Sequence, residues 1–479
     1  MSDSLGSIEW VLWALNALVC AGMLARCYLN RDVMALWSPP SFIGAIYAYY
    51  VVVGPLFARQ FGGVMDRGVD MRPYYGIAWA AALVALLSWM FGYYLLRSHP
   101  RRSPRDGKVW TDDAGLWRLG FVMNLVGLLA FLATAGLSGF RTLGIAAADD
   151  PTLAETTYSG AFANYLTLAV NFLIAGSSVL FLARLRGRGS WFVFGVWMFI
   201  AVVIYITLGF RYRLVLMTAG LTFIYYLHHR KRPNLIFLSL VATMFVVVMG
   251  VIGATRNYGQ GLDLSRNTQS LGESFLSGFG EASIFGTSGA VLHHVPKDRP
   301  LVWADPIKQT LLMPVPSRFF PGKATNAYML ETLITIYGPD AYQGAAFMFF
   351  AEVYQMFWWP GIIVAHVALG WVCRWLWQWY RLRGGDPLAL IVYAAAIPFL
   401  YVLYSRGYLP QIVMIFFFSV APAIALYRWP KAVVGLAHGL RRAEPIDSRG
   451  RGRGAALPQY LRVAPPPGML PPPQQPRKR

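Results

Sequence analysis

Five arginines stand beside long apolar runs, where a chain has little other use for charge. Arg211 and Arg213 lie in GFRYR, Arg256 in ATRNYG, Arg318 in PSRFFPG and Arg406 in YSRGYLP. A guanidinium is a permanently charged planar fork that matches two phosphate oxygens at once. Five of them near one membrane face make a seat for a lipid-borne pyrophosphate. The ordinary alternative is snorkelling, in which an arginine at a helix end simply reaches for lipid headgroups. Short outer turns are disfavoured places for basic residues, which makes Arg211, Arg213 and Arg406 the stronger candidates.

Acid–base chemistry has fewer candidates. Glu352 is the sole acidic residue of the apolar segment 343–358, and an ionisable group at membrane depth often has a function. His294, beside His293, is placed to act as a general base, although paired histidines on a surface loop commonly do nothing of the kind. Glu273 and Glu281 flank the Gly-rich stretch 272–289 and read as solvated loop carboxylates. The cytoplasmic pair His228-His229 continues a basic patch. There is no G-x-x-x-x-G-K-[ST], no H-E-x-x-H and no D-x-D, so neither an ATP-driven engine nor a metal–nucleotide-sugar site is expected. Three cysteines, Cys20, Cys27 and Cys373, all in apolar stretches, provide no disulfide framework and no zinc motif. No cofactor and no metal are expected.

The elements that must position these residues follow from composition. Of 479 residues, 56% are hydrophobic, 15% aromatic and only 13% charged. That balance excludes a soluble enzyme, a disordered chain and a disulfide-rich secreted module. A spanning helix needs about 20 mostly apolar residues. Eleven runs qualify: 8–28, 41–58, 76–96, 115–135, 160–183, 190–209, 214–228, 234–254, 360–380, 387–404 and 409–427. The segment 343–358 reads as re-entrant or interfacial, because a twelfth span there would invert everything after it.

With the N-terminus outside and the spans alternating, one side collects 27 of the 42 basic residues but only 7 of the 22 acidic ones. The positive-inside rule then puts that side, and the C-terminus, in the cytoplasm. A pI near 10.0 thus reports topology rather than nucleic-acid binding. The domain plan is a multi-span body over 1–427, a large outer loop over 255–358 and a basic, Pro-rich tail over 435–479 that is compositionally disordered. The loop is rich in aromatics, among them Trp303, Phe319, Phe320 and Tyr328. Short helices packed on the outer mouth of the bundle are expected there.

The order of these pieces resembles a known family. GFRYRL enters a span, R-N-Y (256–258) leaves one, AEVYQMFWWPGIIVAHVALG (351–370) follows the long loop, and SRGYLPQIV (405–413) opens the last span. This is similar to the bacterial oligosaccharide repeat-unit polymerases, the Wzy-type O-antigen or exopolysaccharide polymerases, which are related to the O-antigen ligases. The family's G-x-R before a span falls on Gly209 and Arg211. Its glutamate-aromatic segment and following glycine fall on Glu352, Tyr354 and Gly361, and its late Arg-Gly on Arg406-Gly407. Trp359-Pro360 departs from the Asn-Phe-Gly type of turn often found there.

The resemblance implies an all-α polytopic membrane protein of about eleven helices, N-out and C-in, with GT-C-like architecture in the bacterial inner membrane. It implies a metal-independent glycosyltransferase facing the periplasm. Such an enzyme moves a growing glycan from undecaprenyl pyrophosphate onto the non-reducing end of a new lipid-linked repeat. Its partners are that lipid-linked oligosaccharide, membrane lipid and a polysaccharide co-polymerase, with no nucleic acid. For that reaction, Arg211, Arg213 and Arg406 are expected to hold the donor pyrophosphate, and Arg256 and Arg318 to line the site or hold the acceptor's pyrophosphate. Glu352 or His294 takes the acceptor proton, and aromatics such as Tyr258 and Tyr354 meet sugars. An O-antigen-ligase-type transferase would use the same face and the same arginines. A transporter or flippase is a separate class, disfavoured by span interiors that are almost free of charge.

Overall fold

The computed structural model describes residues 6–60, 64–96, 98, 110–135, 166, 168–208, 211–234, 283–313, 315, 327–339 and 346–430, with scattered positions between 236 and 262. The tail 435–479 and the loop 136–159 lie outside the described residues. The described chain is almost wholly helical. Its only strands are two short antiparallel hairpins, Met65–Asp66 with Val69–Asp70 and Arg256–Asn257 with Gly261–Leu262. In the first, Arg67 and Gly68 both have positive φ, the backbone a two-residue hairpin turn demands.

Among the described residues, six helices are long and apolar enough to cross a membrane: α1 (Ser7–Leu29), α2 (Pro39–Gln60), α3 (Arg72–Leu95), α4 (Asp113–Ala135), α11 (Phe349–Leu382) and α12 (Pro387–Ser405). A seventh forms if the bent pair α13 (Leu409–Ser419) and α14 (Ala421–Arg428) counts as one span. The apolar helices α5 (Phe172–Leu185) and α6 (Trp191–Thr207) are shorter. Helix α7 runs from Arg211 to His229. Three small helices, α8 (Ser283–His294), α9 (Asp305–Leu312) and α10 (Ala327–Tyr337), come from the stretch between α7 and α11. Most of 234–254 lies outside the described residues.

The local sequence explains where several helices start. Asp386 accepts the Leu388 N–H at 3.0 Å and is followed by Pro387, so α12 has both a capping carboxylate and the preferred proline of the first turn. Ser190 caps α6 in the same way through Phe192 N–H at 3.2 Å.

Two cores lie side by side. One packs α1, α2, α3, α8, α11 and α12 around tryptophans and tyrosines such as Trp79, Trp89 and Tyr393. The other packs α4, α5, α6, the start of α7, α12 and α13 around Phe131, Tyr205 and Met217. Helix α12 belongs to both and joins them.

The connections sort into two ends. At one end Arg381 pairs with Asp32 at 3.2 Å, Arg232 donates to Asn30 O at 2.7 Å, Arg186 pairs with Asp113 at 2.5 Å and Arg383 donates to Tyr427 Oη at 2.9 Å. These are loops that the alternating arrangement puts on one side. At the other end the first hairpin, α8, α10, the start of α11 and the α12–α13 turn meet. Tyr337 donates to Asp66 Oδ2 at 2.6 Å and lies 2.8 Å from Thr287 Oγ1, which staples hairpin, α10 and α8 together.

Helix α11 contains residues 349–358 of the segment that the sequence sets apart at 343–358. Residues 349–356 form its first part and continue into the span after a break. Phe357 and Trp358 have non-helical dihedrals, with Trp358 at φ 58° and ψ −151°. Beyond the break, Pro360 sits in the first turn of the restarted helix, where proline is tolerated best. This gives a physical reason for the departure at Trp359-Pro360. Gly361 follows because a Cβ there would lie 2.3 Å from the Val353 carbonyl.

Candidate functional site

Glu352 is the centre of the described site. The side chains of residues 350–356 are all buried and Glu352 itself is 0% exposed. Its carboxylate accepts three hydrogen bonds from three parts of the chain. Tyr328 Oη on α10 donates to Oε1 at 2.6 Å, and the Leu409 backbone N–H at the start of α13 donates to the same oxygen at 3.2 Å. Gln355 Nε2, one turn along α11, donates to Oε2 at 2.9 Å. No cation pairs with Glu352 among the described residues. A carboxylate offers about four lone-pair positions, so the network leaves room for one more donor.

A second layer fixes the donors. The Thr332 hydroxyl lies 3.1 Å from Gln355 Oε1. Arg299 donates to the Tyr328 carbonyl at 2.6 Å, to Glu331 at 2.5 Å and to Thr332 Oγ1. Val302 N–H reaches the Gln355 carbonyl at 2.9 Å. The segment after α8 therefore clamps α10 against the first part of α11. Burial, followed by the neighbouring Glu352 carboxylate, raises the Tyr328 phenol far above its ordinary value, so Tyr328 is held as a donor. Tyr408, whose ring lies 5.9 Å from that of Tyr328, is raised by the same two causes.

Arg406 ends α12, its N–H bonded to Val402 O at 3.0 Å, and the residue is half-buried. The next residue explains why the turn sits against α11. Gly407 N–H donates to Phe347 O at 2.6 Å, and a Cβ at 407 would meet the Phe347 ring at 2.6 Å. The Arg-Gly pair is thus a close-packed hinge onto the strand of chain that leads into Glu352. Two of the sequence candidates, Glu352 and Arg406, are brought together by backbone contacts on both sides.

Arg213 differs from its expected setting. The sequence puts it in a short outer turn with almost no other polar content. The structure starts α7 at Arg211, and Arg213 is 1% exposed within the second core. Its Nε donates to Tyr212 Oη at 3.3 Å, and its guanidinium lies 5.8 Å from the centroid of the Tyr205 ring. A buried arginine stacked on tyrosines is a paired structural cation unless a ligand needs it.

Its place along the bundle can be reckoned from α12. A Cβ at Gly220 would lie 3.3 Å from Ala394 O, the rings of Phe223 and Tyr393 are 6.3 Å apart, and Arg230 reaches to 3.9 Å from a Cβ at Gly384. Helices α7 and α12 are therefore antiparallel neighbours. At about 1.5 Å per residue this register sets Arg213 level with the last turn of α12, roughly 7 Å short of Arg406 along the axis. The two arginines share one end of the bundle.

Tyr354 is buried, and its hydroxyl accepts the Trp358 indole N–H at 2.9 Å. His294 ends α8 rather than lying in a loop. It sits 2.7 Å from Asp298 and 3.4 Å from Tyr74 Oη. The hydrogen bond from His294 lowers the Asp298 carboxyl below its ordinary value, and burial followed by the neighbouring His294 lowers His293. No described hydrogen bond joins His294 to Glu352. Arg256 stands in the second hairpin, with its side chain outside the described residues, as is that of Arg211. Arg318, Tyr258, Glu273 and Glu281 lie outside the described residues altogether.

Compared with protein-family models, curated proteins and solved structures, the chain matches none. The resemblance to repeat-unit polymerases rests on its motif residues.

Proposed function

We propose that this chain is an eleven-span inner-membrane glycosyltransferase of GT-C-like architecture, N-out and C-in, that polymerises lipid-linked oligosaccharide repeats at the periplasmic face. The spans would be α1 to α7, residues 234–254, the part of α11 after its break, α12, and α13 with α14. The collection of 27 of the 42 basic residues on one side of the alternating sequence runs is what supports that count and orientation. The observation that carries the reading is the junction of Glu352 with the Arg406 turn, through Leu409 N–H on Glu352 and Gly407 N–H on Phe347.

In the proposed reaction the bond between the donor sugar's anomeric carbon and undecaprenyl pyrophosphate breaks, and a bond to the acceptor sugar's hydroxyl oxygen forms. The acceptor proton passes to Glu352 at its remaining lone-pair position. The departing pyrophosphate carries the developing negative charge, which Arg406, Arg213 and Arg211 stabilise at fixed positions. Arg256 and Arg318 line the site from the outer loop, and Tyr258 and Tyr354 belong to its sugar-facing surroundings. His294 is the second candidate base.

The test is incubation of the purified protein in lipid nanodiscs with an undecaprenyl-pyrophosphate-linked repeat. A ladder of longer chains on the carrier lipid supports polymerisation. A single transfer to a different acceptor assigns the chain to ligase-type transfer, and no transfer at all overturns both.

A further inference from the structure

A ridge of large apolar side chains emerges beside the break in α11. Trp303 is 60% exposed, Leu311 72% and Trp358 48%, with Ile307 and Phe357 exposed between them. Ile307 and Leu311 are four residues apart on α9 and so share one face. Trp303 stands one turn before Ile307, its ring 6.4 Å from that of Phe357.

Both exposed tryptophans hold left-handed backbone, Trp303 at φ 47° and Trp358 at φ 58°. Such dihedrals are costly for a bulky residue and persist only where the surroundings impose them. The rings are thus directed outward by the fold rather than left there by a loose loop. The opposite face of α9 is engaged: Pro306 is buried, and the helix packs on α13.

The occupant of this ridge is indicated by its neighbours and its chemistry. Past the break, α11 presents Ile363, Val364, Trp371 and Val372, all exposed, as the outer surface of a candidate span. Phe357 and Trp358, which carry Trp303 beside them, lead along the chain into that surface at its end nearest Glu352. Indole rings with a satisfied N–H, as in Trp358 donating to Tyr354 Oη, suit the boundary between headgroups and acyl chains. Lys308, exposed on the flank of α9, has the reach to keep its charge at headgroup level. Leucine and isoleucine at the centre of the ridge suit acyl chains better than sugars.

We propose that α9 is an interfacial helix whose ridge of Trp303, Ile307 and Leu311, with Phe357 and Trp358, is seated in the leaflet at the Glu352 end of the bundle, so that the α11 break marks the headgroup level. The proposal requires α11 to be a span and does not depend on glycan transfer. Its consequence is that the clamp made by Arg299, Tyr328 and Gln355 is held at the membrane surface from one side.

The three native cysteines are buried, so a thiol-specific spin label is directed to an introduced one. Full-length Leu311→Cys, Lys308→Cys and Trp371→Cys proteins would be labelled and placed in phosphatidylethanolamine–phosphatidylglycerol nanodiscs. Collision with oxygen and with the water-soluble relaxant NiEDDA is then read by power saturation, with unsubstituted protein as the background. The expected result is a Leu311 label that meets oxygen far more than NiEDDA, shallower than the Trp371 label and deeper than the Lys308 label. A Leu311 label as open to NiEDDA as bulk water would assign the ridge to a soluble ligand and overturn the proposal. A label shielded from both relaxants would assign it to protein contact and overturn it equally.

Discussion

The Tyr328 hydroxyl donates to Glu352 Oε1 across 2.6 Å, joining α10 to the broken helix α11 inside the protein. A hydrogen bond to a charged group contributes about 1.5–3 kcal/mol, and leaving its buried partner short of a donor costs a comparable amount. Tyr328→Phe should therefore lower stability by about 2 kcal/mol while keeping the ring's packing. Thermal unfolding in detergent checks this, and a variant as stable as the wild type would show that the bond holds nothing.

Gly407 allows the Arg406 turn to lie on Phe347. Gly407→Ala drives a methyl into the Phe347 ring and carbonyl, at 2.6 and 2.8 Å. Overpacking of this kind costs about 1–3 kcal/mol, and here it also pulls Leu409 N–H from Glu352. The expected outcome is lower stability together with lost activity. Equal thermal stability of Gly407→Ala and wild type would contradict the close contact.

Arg213 is buried between tyrosines, so charge and shape can be separated. Arg213→Lys keeps the cation and loses the planar fork, whereas Arg213→Met keeps much of the volume and loses the charge. If Arg213 meets pyrophosphate, both variants should fall about 100- to 1,000-fold in turnover, as when one preorganised donor is removed from a developing charge. If it is only a paired core cation, Arg213→Met will retain turnover and change stability alone. Single-turnover assays in nanodiscs alongside unfolding curves separate the two outcomes.

The turn after α8 should respond to pH with a defined sign. Burial and His294 lower His293 below its ordinary 6.5. A histidine with a lowered folded value binds fewer protons folded than unfolded, so stability rises with pH through that window and is complete above it. Asp298, lowered below 3.8 by its bond to His294, contributes above that value and is lost only as pH falls further. Amide protection factors in residues 295–299, corrected for intrinsic exchange, should therefore be highest near neutral pH, fall modestly as pH drops below 6.5 and fall again only in strong acid. Protection that improves between pH 7.5 and 5.5 would have the wrong sign.

Much of this was legible in the sequence, for reasons that differ by residue. The long apolar runs are local, so α1 to α4 and α12 coincide closely with the expected spans. Glu352 is conspicuous as a lone acid in an apolar segment, and Gln355 is its visible neighbour one helical turn on. Tyr328 and Leu409 are 24 and 57 residues away from Glu352, and only tertiary packing brings them together. Arg299 was hidden for the same reason, since its partners lie on α10. The burial of Arg213 is not visible in the sequence, because GFRYR reads as a turn between spans, whereas helix α7 begins inside it. The break at Phe357–Trp358 has its sequence signal in Pro360, which cannot continue the helix before it, with Gly361 beside it.

Glycan transfer from a lipid pyrophosphate is the reaction proposed for the end of the bundle that holds Glu352 and Arg406. The most direct measurement is the product ladder made from a purified lipid-linked repeat by wild type, Glu352→Gln and Arg406→Ala in the same nanodiscs. The account predicts a ladder from wild type and a loss of about 100-fold or more for Glu352→Gln, the scale of a lost general base, with a comparable loss for Arg406→Ala and unchanged elution of both variants. A wild-type ladder from either variant, or no ladder from the wild type itself, would contradict it.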